Sequence, residues 1–307
     1  MRPLERARPV LLALQASALL ACGDAGGSGS AQAGGGEAQL PTSTSSTGFD
    51  TTSSGNTDGC AESARFVYLL DKQRELVRFD PETLSLDVVG TIACSVVGGP
   101  AVGIPTPFSM SVDRTGIAWV LYSDGSVHKV DVTTAQCSST AFIPNQLPAF
   151  ELFGMGFVTD GPNTSDETLF VASYSPGNGI GTLDLGDLAI RRRGFYDAFD
   201  GPAELTGTGD GHLYGFFFSN PPRIAEIDKN DADILWSNQL PGVSIGQAWA
   251  FAHWGGDFWL FTAPEITTSK ITRFRPSDGS IDVMVEDAGL LIVGAGVSTC
   301  APLVPPK

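Results

Sequence analysis

Between Gly116 and Thr134 the chain reads Ile-Ala-Trp-Val-Leu-Tyr, then Ser-Asp-Gly, then Val-His-Lys-Val-Asp. An apolar run of that length, bounded by turn residues, predicts a strand, and the shorter run after the turn predicts its hairpin partner. Four other stretches repeat the second run and its ending: Leu76–Asp80, Ile180–Asp184, Ile224–Asp228 and Ile271–Arg275. Their last residues, 80, 131, 184, 228 and 275, are spaced by 51, 53, 44 and 47. An aromatic-rich run precedes each (Phe66–Leu70, Ile117–Tyr122, Leu169–Ala172, Leu213–Phe218, Phe258–Thr262). A third short run follows each (Leu84–Val89, Cys137–Phe142, Leu188–Phe195, Ile234–Ser237, Ile281–Val285). Runs of small residues lie between units, at Phe108–Val112, Phe153–Phe157, Leu205–Thr208 and Ala248–Ala252. No stretch of twelve or more residues shows helical periodicity, and Gly or Pro punctuates nearly every connection, so the expected class is all-β.

Four antiparallel strands per unit, five times over, resembles a five-bladed β-propeller, and the resemblance covers roughly residues 60–301. Small side chains suit the innermost strand, where five sheets crowd around one axis. The first unit lacks such a strand, whereas Leu291–Ser298 is an innermost strand without a blade. The C-terminal strand is therefore expected to join the first blade and close the ring. Closure brings Cys300 to the domain start, which pairs Cys60 with Cys300 and leaves Cys94 with Cys137 on adjacent blades. Residues 302–307 form a short tail.

The N-terminus departs from this pattern. Arg2, Arg6 and Arg8 precede an apolar run from Val10 to Leu20, too short to span a bilayer, which reads as a signal peptide over residues 1–21. Its end, Leu19-Leu20-Ala21-Cys22, resembles the lipobox of bacterial lipoproteins, although Leu20 is bulkier than usual before Ala. The resemblance implies lipidation of Cys22 and membrane attachment through the lipid. Residues 22–59 are dominated by Gly, Ser, Thr and Ala, a composition that cannot bury enough apolar surface to fold and serves as a tether of roughly 30–35 Å. Eighteen basic against 34 acidic residues give a formal charge of −16, a poor match for nucleic acid. The basic cluster Arg191-Arg192-Arg193 falls in an expected edge strand, where charge discourages edge pairing.

Candidate chemistry is sparse. Asp80, Asp131, Asp184 and Asp228 each end a strand before a turn, where a carboxylate caps backbone N–H groups. Asp228–Asp233 and the Asp160–Glu167 loop are oxygen-rich, but the first fails the EF-hand pattern at Ala232, Asp233 and Gln239. Gly242-Val-Ser-Ile-Gly246 matches a nucleophile elbow in letters but precedes a strand instead of a helix. Gly294–Thr299 half-resembles a dinucleotide loop with no helix after it. His128, His212 and His253 occupy different blades and positions, so no metal centre is expected, and no cofactor.

Known five-bladed propellers include glycosidases, whose carboxylates project into the axial pocket. The acids near inner-strand starts here are Glu151, Asp200, Glu204, Glu286 and Asp287, with none in the second blade. Most of the fifth blade's aromatics (Trp249, Phe251, Trp254, Phe258, Trp259, Phe261) are expected to pack between blades. Glu204, Gln247 and Trp249 are the expected binding residues at the axial mouth. The sequence thus favours a monomeric, lipid-anchored envelope domain that binds a protein or glycan without turning it over. The alternative is an envelope glycoside hydrolase using Glu204 with a second acid.

Overall fold

The computed structural model describes residues 59–95, 104–161, 164–265 and 267–306; the signal segment, Cys22 and most of the tether lie outside them. The described chain is a five-bladed β-propeller of four-stranded antiparallel blades. Blade 1 holds β1 (Val67–Asp71), β2 (Glu75–Asp80) and β3 (Ser85–Thr91). Blade 2 holds β4 (Pro107–Val112), β5 (Ile117–Tyr122), β6 (Val127–Asp131) and β7 (Cys137–Ser139). Blade 3 holds β8 (Phe153–Thr159), β9 (Glu167–Ser173), β10 (Ile180–Leu183) and β11 (Ile190–Gly194). Blade 4 holds β12 (Ala203–Gly207), β13 (Leu213–Phe217), β14 (Arg223–Ile227) and β15 (Ile234–Gln239). Blade 5 holds β16 (Trp249–Trp254), β17 (Asp257–Thr262), β18 (Lys270–Arg275) and β19 (Ser280–Val285). The last strand, β20 (Ile292–Gly296), pairs with β1 and is the innermost strand of blade 1.

Burial falls from axis to rim. The second strand of each blade is almost wholly buried, whereas β3, β15 and β19 expose much of their length. Both faces of a blade pack on neighbouring blades, so a continuous apolar run, and not strict alternation, is what a middle strand requires. Five apolar clusters fill the five seams. Val77 and Phe79 of blade 1 meet Trp259 and Phe261 of blade 5. Leu70 and Leu76 meet Val112 and Val120 of blade 2, and Trp119 and Leu121 meet Phe157 and Val171 of blade 3. Phe170 meets Leu213 and Ala225 of blade 4, and Phe216 and Ile224 meet Leu260 and Phe274 of blade 5. The fifth-blade aromatics other than Trp249 are thus seam residues, each fully buried ring contributing about 1.5–3 kcal/mol.

The outer hairpins carry the recurrent acid. Asp80, Asp131, Asp184 and Asp228 each accept the backbone N–H two residues on, at 2.9, 2.7, 2.8 and 2.8 Å. Asp131 also accepts the Thr133 hydroxyl, and these bonds hold its carboxyl below the usual range. The carbonyl of each strand-ending residue accepts the N–H four residues later. That fourth residue is left-handed in all five units: Leu84, Ala135, Leu188, Ala232 and Gly279. Only the fifth unit places there the residue that adopts the conformation without a Cβ penalty.

Innermost strands are sheet edges, whose free N–H groups need partners. Hydroxyls of neighbouring blades supply them: Phe157 N–H donates to Ser111 Oγ at 2.9 Å, and His253 N–H to Thr206 Oγ1 at 3.2 Å. The ring is closed covalently as well. Cys60 is joined to Cys300 and Cys94 to Cys137, with Cα separations of 5.9 and 5.2 Å.

Several boundaries differ from the sequence reading. The third run of blade 2 stops at Ser139, because the chain leaves the blade there to descend through Thr140–Phe150. The inner strand of blade 4 begins at Ala203, which places Glu204 inside the strand and not ahead of it.

Candidate functional site

All five inner strands start at one mouth of the ring, and strand register identifies the equivalent positions one layer in. Opposite Leu70, Leu121, Ala172, Phe216 and Phe261 lie Gly294, Ser109, Gly154, Glu204 and Ala250. Four are small because the strands nearly touch: a Cβ on Gly154 would meet the Ala203 carbonyl oxygen at 2.2 Å and Glu204 Cα at 2.7 Å. Glu204 is the single large and ionisable member of the layer. Its side chain crosses from blade 4 towards blade 2, where the Ser109 hydroxyl donates to its Oε2 at 2.7 Å. The residue is 5% exposed. Burial pushes its carboxyl up to about 8, opposed by the Ser109 bond, so the protonated form predominates at neutral pH.

Above Glu204 the mouth opens as a cavity of about 220 Å³. Glu204, Gln247 and Trp249 all line it, together with Lys72, Phe108 and Tyr174. Gln247 is exposed, and its backbone N–H is fixed to the Ala263 carbonyl at 2.8 Å. Four blades contribute rings to a continuous aromatic arch. Phe108 meets Tyr174 edge-on at 5.2 Å, Tyr174 stacks on Trp249 at 5.9 Å, and Phe218 tilts against Trp249 at 5.2 Å. Trp249 is therefore engaged by two neighbours, and the more exposed rings are Tyr174 at 39% and Phe218 at 49%. The Trp249 indole N–H is buried with no acceptor among the described residues.

The sequence did not single out Phe108, Tyr174, Phe218 or Lys72. Tyr174, Phe218 and Lys72 each sit one residue beyond a second strand, in register with Ser123 and Ala263. Aligning that position across the repeat exposes the signal: two blades fill it with an aromatic ring.

The other inner-strand acids lie elsewhere. Glu151, Asp200, Glu286 and Asp287 are exposed. Glu151 and Asp287 accept local backbone N–H groups, Asp200 accepts that of Gly201, and Glu286 pairs with Lys270 at 2.6 Å. Among the described residues lining the cavity, Glu204 is the only carboxylate. Gly246 of the elbow-like stretch is left-handed, and a Cβ there would meet the Ala263 oxygen at 1.8 Å, so close backbone approach accounts for it.

A half-buried acid, Glu167, belongs to the opposite mouth. It accepts the Arg114 backbone N–H at 2.9 Å and the Thr299 hydroxyl at 2.8 Å. Burial raises its carboxyl to about 7. Arg114 also donates to Thr299 Oγ1, so this cluster fastens blade 3 to the closing seam. Asp228 and Asp231 are occupied as turn acceptors. His128 lies with Cys94 and Cys137 within 4.8 Å, but those cysteines are spent in their disulfide.

No family model matches the chain, and no curated protein matches it by sequence. Similar solved structures include a streptogramin B lyase, at a TM-score of 0.42 and 18% identity over 75% of this chain and 69% of that one. TolB from Acinetobacter baumannii follows at 0.41 and 14%, over 74% of this chain and 54% of that one. A protein of unknown function from Bacteroides caccae gives 0.42 and 6%, over 75% and 97%. These are distant likenesses, and the fold assignment rests on the strand topology itself.

Proposed function

We propose that the chain is an exported binding module, tethered to a membrane through lipidated Cys22, that holds a protein or glycan group in the axial cavity. The observation that carries this reading is the aromatic arch over a single buried, neutral carboxyl. Binding sites combine apolar walls with a few placed polar groups in this way. The two disulfides fit an oxidising compartment. A glycoside hydrolase reading needs a second acid about 5–9.5 Å from the first, and the described lining residues supply one carboxylate only.

The test is a glycan array and an envelope pull-down with the full chain. Wild type is expected to retain a ligand that Trp249→Ala weakens by about tenfold or more, as loss of a central aromatic anchor does. Unchanged retention by Trp249→Ala, or turnover of any polysaccharide, overturns the reading. Cys22→Ser is expected to move the protein out of the membrane fraction; persistence there removes the anchor.

A further inference from the structure

Where blade 2 meets blade 1, two sulfurs and an imidazole come together. His128 on β6 stands opposite Ser139, and Cys137 on β7 stands opposite Val130, so His128 and Cys137 share one face of the sheet on the diagonal. Cys94 reaches them from the stretch after β3, through the disulfide that puts its Cα 5.2 Å from that of Cys137. A ring nitrogen of His128 and the two sulfurs lie within 4.8 Å of one another. No other group of three such donors occurs among the described residues.

His128 is only 3% exposed. The Ser126 hydroxyl gives its proton to Asp124 Oδ1 at 2.6 Å, so it meets His128 Nε2, at 3.0 Å, as an acceptor. The ring proton then sits on Nε2, and Nδ1 keeps the lone pair. That Nδ1 is buried with no hydrogen-bond partner among the described residues, where a buried polar atom ordinarily has one. A histidine anchored through one nitrogen, by way of a hydroxyl to a carboxylate, is held as metal ligands are held.

We propose that Cys94, Cys137 and His128 form a zinc site when their disulfide is opened by a dithiol reductant. One thiolate of the reductant attacks a sulfur of the pair, and its second thiol resolves the mixed disulfide. The reductant leaves as its own disulfide, and two cysteine thiols remain. Zn²⁺ then displaces both thiol protons and takes the Nδ1 lone pair of His128. Thiolate and imidazole are donors that suit Zn²⁺. On a tetrahedral ion they stand about 3.5–3.8 Å apart, within the present spread. Cys137 is half-buried, which gives reductant and ion a way in, and water completes the fourth position. The site shares no residue with the axial cavity, so it stands or falls apart from the binding role.

The test is a titration of the full chain with Co²⁺, a coloured substitute for Zn²⁺, after reduction with dithiothreitol and its removal under argon. The reduced chain is expected to bind one Co²⁺ with a thiolate-to-cobalt charge-transfer band that Zn²⁺ bleaches, and the oxidised chain to show no band. His128→Gln should weaken binding about tenfold or more, and Cys137→Ser should remove the band. Failure of the reduced chain to bind, or a band that either substitution leaves unchanged, overturns the proposal. Near-ultraviolet circular dichroism reports whether the reduced chain stays folded. If it does not, Zn²⁺ is expected to restore the folded signal in wild type and not in Cys137→Ser, and no restoration also overturns the proposal.

Discussion

Replacing Cys60 and Cys300 by serine is expected to lower the unfolding free energy by about 5 kcal/mol, a larger loss than the about 4 kcal/mol expected for Cys94 and Cys137. The reason is the length of chain each bond encloses: 240 residues for the first and 43 for the second. A crosslink removes more conformational freedom from the unfolded chain when the loop it closes is longer. The first bond also guards the place where the ring opens, since β20 and β1 come from opposite ends of the domain and meet only through pairing. Urea unfolding of both double variants measures the order. Equal losses, or a larger loss for Cys94 and Cys137, would contradict the role given to the seam.

Glu204 is expected to produce the second large effect, and it depends on pH. Its folded carboxyl titrates near 8 against an ordinary value of 4.5, so the folded state holds a proton that the unfolded chain releases. The stability this contributes is complete below about pH 4.5, falls as pH rises, and is lost once pH passes about 8. At about 1.4 kcal/mol per unit, the loss across that window is on the order of 5 kcal/mol. Glu204→Gln keeps the shape and the Ser109 bond but cannot ionise, so the variant should gain on wild type from pH 5 to about 8 and then level off. Glu167 shifts in the same direction and is common to both proteins, so the comparison isolates Glu204. A constant difference between the two proteins over that range would place the Glu204 carboxyl in water.

Much of the architecture was readable because one hairpin was written five times with the same ending. The acid at Asp80, Asp131, Asp184 and Asp228 was correctly a turn cap, since a short polar side chain at a strand end meets the next backbone N–H locally. The inner strand missing from the first unit and the surplus one at Leu291–Ser298 implied closure, and closure implied the cysteine pairing. The site was only partly readable. Glu204, Gln247 and Trp249 were identifiable as inner-strand polar or aromatic residues near one mouth. Tyr174, Phe218 and Lys72 were not, because each lies just past a strand in a different blade. Only the closed ring brings Tyr174 and Phe218 onto Trp249, at 5.9 and 5.2 Å between ring centroids, and Lys72 to the same cavity, and no local pattern records that. Glu204 carried a clearer signal than was used. Among Gly294, Ser109, Gly154 and Ala250 it alone departs from the small residues that the crowded axis otherwise selects.

The claim that the axial mouth holds the ligand is tested most directly by hydrogen exchange on the full chain with and without the ligand captured from the envelope or the array. Added protection is expected at Thr106–Phe108, Tyr174 and Gln247–Trp249, the backbone around the cavity. Protection confined to the opposite mouth, around Arg114, Glu167 and Thr299, would contradict it.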